Sequence, residues 1–116
     1  AYETYGQVCL PLYSNPNVPA AGAFRDRAIE RPEVAFHFFS DEMAQMDMRA
    51  EIANITCPTL VIGGAIDPVT PPICSKAIAD AIGDNARLRM FEGCGHGPHR
   101  DDPTGAEKIM RHFLAD

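Results

Sequence analysis

The apolar positions of this chain change rhythm half-way along it. Residues 59–64 (Thr-Leu-Val-Ile-Gly-Gly) form a nearly continuous apolar run with β-branched Val61 and Ile62. Such runs mark strands buried on both faces, the habit of parallel sheets. Pro71-Pro72 can open a helix, and Ile73, Ala77, Ile78 and Ile82 recur at helical spacing through 73–82. Gly83 stands where that helix should stop. Residues 86–91 (Ala-Arg-Leu-Arg-Met-Phe) alternate and predict a second strand. Residues 93–98 (Gly-Cys-Gly-His-Gly-Pro) read as a loop. A last helix over 103–114 has Pro103 near its first turn and Ile109, Met110, Phe113 and Leu114 as its apolar stripe.

The first half has no such regularity. Residues 8–20 hold three prolines and read as extended chain and turns. Pro32 fits the first turn of a helix, and Val34, Phe38, Met43 and Met46 predict helix over 33–47 at mixed spacing. Residues 47–52 suggest a short helical turn, ended by Cys57-Pro58. Residues 58–116 therefore read as a βαβα unit, and right-handed crossover makes its strands parallel. Two parallel strands cannot bury both faces alone. The expectation is that the rest of the sheet lies in a missing N-terminal part or a second chain. A start at Ala1 rather than Met leads separately to the expectation that something upstream was removed or that the chain was cut from a longer one.

Composition narrows the function classes. With 116 residues there is material for one small domain. A formal charge of -6 offers no basic patch for a phosphate backbone, so nucleic acid is not an expected partner. No apolar run approaches the roughly 18 residues that span a bilayer, so no membrane partner is expected either. No secretory signal opens the chain. Cys9, Cys57, Cys74 and Cys94 show neither a CxxC pair nor metal-ligand spacing, so they read as packed or half-buried thiols, with no metal and no cofactor expected.

The candidate chemistry lies at the strand ends. Asp67 follows the first strand and His96 follows the second. In open α/β sheets, sites collect at the carboxyl ends of the strands, and neighbouring strands lie about 4.8 Å apart. A carboxylate there can hold the imidazole N–H, fix its tautomer and stabilise the imidazolium formed on proton uptake. The order acid then histidine fits the hydrolase order Ser, Asp, His. Gly95 and Gly97 free the loop around His96 to turn sharply, and Pro68 restricts the backbone after Asp67. Asp101 and Asp102 are the next candidates for the acid. No G-x-S-x-G occurs, and Ser14, Ser40 and Ser75 read as structural, so the nucleophile is expected outside these residues.

At these residues the chain resembles a family. Residues 55–72 (Ile-Thr-Cys-Pro-Thr-Leu-Val-Ile-Gly-Gly-Ala-Ile-Asp-Pro-Val-Thr-Pro-Pro) resemble the C-terminal acid segment of α/β-hydrolases, and residues 91–97 (Phe-Glu-Gly-Cys-Gly-His-Gly) resemble their histidine segment. Asp41-Glu42-Met43 and Met46-Asp47-Met48-Arg49 are similar to the stretch entering the acid strand in the proline iminopeptidase-like branch, and Cys9-Leu10-Pro11-Leu12-Tyr13 looks like part of its cap. The resemblance implies a fold class of α/β, the C-terminal βαβα part of an α/β-hydrolase parallel sheet, with residues 47–116 in the core and 1–46 as a cap or lid remnant. It implies Asp67 as the triad acid and His96 as general base and acid. The partner would be an N-terminal hydrolase segment or a second chain carrying the nucleophile, and the substrate a peptide or small ester.

Within that reading, an exopeptidase releasing an N-terminal residue such as proline is preferred over a carboxylesterase, and Glu42 is the carboxylate that would bind a free amino terminus. His37, His99 and His112 carry ordinary structural readings, His37 with the option of lining a cap pocket. A competing reading makes the chain a non-catalytic binding or structural subunit of the same fold.

Overall fold

The computed structural model describes residues 2–17, 29 and 31–116. Its centre is the expected pair of strands, β1 (Thr59–Gly64) and β2 (Ala86–Phe91). They run parallel, in register from Thr59 opposite Ala86 to Gly64 opposite Phe91. Pairing continues past the strand ends, where the Ala65 N–H donates to Phe91 O and the Ile66 N–H to Cys94 O. Both loops of interest are thereby tied to each other through backbone.

Helices precede and follow this pair. The first described helix, α1, is Tyr2–Val8. The proline-rich stretch is not extended at its start, as the sequence suggested. Leu10–Tyr13 closes a 3-10 turn with Pro11 at its beginning, where a missing N–H leaves nothing unpaired. Residues 18–20 of that stretch lie outside the described residues. Helix α2 (Pro32–His37) runs into a π-helical turn, Phe38–Glu42, closed by Met43 N–H on Phe38 O. Its apolar side chains Val34, Phe36 and Phe39 are exposed. A short turn, α3, follows at Arg49–Ile52.

The crossover helix α4 (Pro72–Ile82) begins on Pro72 and ends at Gly83, whose φ of +73° is a conformation that favours glycine. Its packed face corrects the expected stripe. Ser75, Ala79 and Ile82 turn inward, whereas Ile73 and Ile78 are exposed. The reason is local: a Cβ at Gly63 of β1 would collide with the Ser75 side chain, so the helix sits too close for a larger residue there. The histidine loop is also shorter than expected, because Pro98 starts a helical turn, α5 (Pro98–Asp101). The last helix, α6 (Pro103–Ala115), is capped by Asp102, whose carboxylate accepts the Gly105 N–H at 2.9 Å. Its inward residues are Ala106, Ile109 and Phe113, while Met110 and Leu114 are exposed.

Ile109 and Phe113 line a shallow pocket together with Leu60, Arg87 and Arg89, and the Arg87 guanidinium stands 5.9 Å from the Phe113 ring centroid. Val61, Ile82, Cys94 and Ala106 are the buried apolar residues among those described. Leu60 and Ile62 are only half-buried, so the run read as buried on both faces is incompletely covered here. All four cysteines are free; Cys57 and Cys74 are exposed rather than packed.

Candidate active site

Asp67 lies three residues beyond β1, and its side chain folds back over its own loop. Oδ1 accepts the Val69 N–H at 2.8 Å and the Thr70 N–H at 3.0 Å, while the Thr70 hydroxyl donates to Oδ2 at 2.8 Å. This is an Asx-type turn, in which a carboxylate replaces a backbone acceptor. Pro68, having no N–H, leaves the donors of Val69 and Thr70 as those facing the carboxylate.

His96 meets that carboxylate from the loop after β2. Its Nδ1 is 2.9 Å from Asp67 Oδ2 and 3.2 Å from Oδ1. An ionised carboxylate only accepts, so Nδ1 carries the hydrogen. In the neutral imidazole, Nε2 is then left with a lone pair. The Thr70 hydroxyl oxygen stands 3.3 Å from the same Nδ1, so one threonine touches both members of the pair. Asp67 is 8% exposed, and a third of the His96 side chain is open. Burial pushes the Asp67 carboxyl up, but the bonds from the Thr70 N–H, His96, the Thr70 hydroxyl and the Val69 N–H outweigh it. Together they hold the group down from 3.8 to about 2.

The histidine loop is held at several points. Gly93 adopts a φ of +71°. A Cβ at Gly64 would run into the backbone of Cys94 and Gly95, so the end of β1 and this loop touch backbone to backbone. The His96 N–H donates to Tyr13 O at 2.5 Å, and the Tyr13 ring meets the imidazole edge-on with centroids 5.4 Å apart. Asn15 Nδ2 donates to Gly93 O at 2.6 Å. Asp101, also 8% exposed, accepts the Gly95 N–H at 2.7 Å and the Asn15 N–H at 2.9 Å on one oxygen, Oδ2. Asp101 and Asp102 therefore each face backbone amides.

Glu42 joins neither Asp67 nor His96 by a hydrogen bond among the described residues. It is exposed, with Oε1 3.2 Å from His37 Nε2. Ser75 sits in α4 against Gly63, Ser40 in the π-helical turn, and Ser14 just after the 3-10 turn. Among the described residues no group of three or more His, Cys, Asp or Glu side chains is placed to hold a metal ion.

The model of the α/β-hydrolase family described as TAP-like protein matches residues 40–116. The chain belongs to this family. As a TAP-like α/β-hydrolase it is similar to a Mycobacterium tuberculosis protein named "Putative non-heme bromoperoxidase BpoC", with 39% identity over 62 residues, 53% of this chain and 23% of that one. It is also similar to a pimeloyl-[acyl-carrier protein] methyl ester esterase of Aromatoleum aromaticum, with 29% identity over 72 residues, 62% of this chain and 28% of that protein. The chain thus spans about a quarter of the length of these curated relatives. Among solved structures, MGS-M2, an alpha/beta hydrolase enzyme from a Medee basin deep-sea metagenome library, superposes with a TM-score of 0.68 at 24% identity, over 98% of this chain and 45% of that one. The βαβα unit is a C-terminal piece of the α/β-hydrolase sheet.

Sequence reasoning missed Thr70 and Asn15, and it read Asp101 as a spare acid rather than as an acceptor for the histidine loop. For Thr70 a signal existed, since Asp-Pro-x-Thr can form an Asx turn. For Asn15 and Asp101 there was none, because their partners are distant in sequence.

Proposed function

We propose that Asp67 and His96 are the acid and the general base of a serine hydrolase that cleaves an ester or amide through an acyl-enzyme. The observation that carries this is the Nδ1–carboxylate bond, which leaves Nε2 as the acceptor. A serine supplied by a segment or second chain beyond these residues would give its hydroxyl proton to Nε2 as its oxygen attacks the acyl carbon. The imidazolium, held by Asp67, then protonates the leaving alcohol or amine, and water deacylates the serine by the same route. Residues 47–116 are the core portion in this reading, and residues 1–46 belong to a cap, from which Tyr13 reaches the imidazole.

The aminopeptidase-like specificity of the proline iminopeptidase branch rests on the resemblance of residues 41–49. The methyl ester esterase among the relatives supports the ester alternative. A fluorophosphonate probe on the complete protein tests the reading: a serine outside these residues becomes labelled, and His96→Ala abolishes the labelling. An unlabelled wild type, or labelling indifferent to His96→Ala, overturns it.

A further inference from the structure

We propose that Asp101 is a positioning residue for the His96 imidazole, an inference that rests on the triad reading above. The carboxylate is buried, and among the described residues its hydrogen-bond partners are backbone amides rather than a cation. One of those amides belongs to Gly95, the residue before His96; the other belongs to Asn15, whose own side chain grips Gly93. The peptide between Gly95 and His96 is held in turn by Tyr13 O. The main chain entering His96 is thus fixed on successive amides, Gly95 by Asp101 and His96 by the 13–15 segment. Gly64 blocks the loop from below, since the backbone contact there has no room for even a methyl group. The direction in which the imidazole leaves this backbone decides whether Nδ1 meets Asp67 at hydrogen-bond distance. Asp101 is the group that ties the loop and the N-terminal segment together on a single oxygen.

Truncating Asp101 removes one acceptor and leaves two enclosed amides unpaired. The loop then relaxes, and a displacement of about 1 Å at a reacting group lowers turnover by about 100-fold. Because Oδ2 alone accepts both bonds, an asparagine oxygen can take its place, so Asp101→Asn should rescue the geometry where Asp101→Ala does not.

The test has two readouts on the complete protein. One is the rate constant of fluorophosphonate labelling. The other, independent of reaction, is the NMR signal of the His96 Nδ1 proton, which reports its bond to Asp67. In Asp101→Ala we expect labelling to slow by about 10- to 100-fold and the Nδ1 signal to be lost by exchange, in protein that still melts cooperatively. In Asp101→Asn we expect both within a few-fold of wild type. If Asp101→Ala does not accumulate as folded protein, Asp101→Ser takes its place, since it is too short to reach both amides yet admits a water. A truncated variant with wild-type labelling and an undisturbed Nδ1 signal overturns the inference. Failure of the triad reading shows separately, as labelling that survives His96→Ala; an intact Nδ1 signal in the truncated variant would still overturn the positioning role by itself.

Discussion

Replacing Asp67 by asparagine changes one atom and should invert the imidazole. Oδ1 serves the Val69 and Thr70 amides, so the asparagine oxygen must stay there. Its amino group then occupies the place of Oδ2 and presents hydrogens to His96 Nδ1. The imidazole answers by accepting at Nδ1 and carrying its hydrogen on Nε2, where it can no longer take a proton from a nucleophile. Reaching the productive tautomer means facing two donors against each other, at about 1–3 kcal/mol. The imidazolium also loses a carboxylate worth about 4 kcal/mol at an effective dielectric near 20. Together these raise the barrier by about 5–7 kcal/mol, a loss of about 10⁴ to 10⁵ in turnover. The same exchange in a serine protease loses about 10⁴. The assay is single-turnover hydrolysis of p-nitrophenyl acetate and fluorophosphonate labelling by the complete protein, with thermal melting as a check on folding. A folded Asp67→Asn variant within tenfold of wild type would refute the reasoning and move the acid role elsewhere.

Two further outcomes follow from the same contacts. The Asp67 carboxyl lies at about 2 when folded against 3.8 unperturbed. Its stabilisation, roughly 2 kcal/mol, is therefore complete above about pH 4 and is lost as pH falls toward about 2. Denaturant unfolding at about pH 6 and about pH 2.5 should show the stability gap between wild type and Asp67→Asn closing at the lower value; a constant gap contradicts the assignment. Gly64→Ala forces a methyl group into the backbone of Cys94 and Gly95, which cannot swing aside as a side chain would. We expect about 1–3 kcal/mol of destabilisation by thermal melting, with labelling slowed in the protein that remains folded. An unchanged melting temperature would show that the loop yields.

The second half of this chain was legible because its signals are local. A nearly unbroken apolar run, prolines at a helix start and a glycine at its stop placed β1, α4 and β2, and the strand ends then placed Asp67 and His96 side by side. Periodicity could not choose between two faces of a short helix. Ile73 and Ile78 form the stronger apolar stripe, yet the close approach of Gly63 selects the face with Ser75. The 3-10 turn at Leu10–Tyr13 was hidden because proline is equally at home in extended chain and in the first turn of a helix. Contacts made across the fold left no trace in any window of sequence, which is why Asp101 looked like a spare acid rather than an acceptor for the loop.

The staple between Asn15 and Asp101 also has a meaning in time. These residues are 86 positions apart, so bringing them together costs about 4 kcal/mol of chain entropy, roughly 1 kcal/mol more than the β1–β2 crossover. The strand pair can close on its own short connection, whereas the histidine loop reaches its final shape only when the N-terminal segment arrives. Chain entropy alone therefore favours closing the strands before the imidazole is placed.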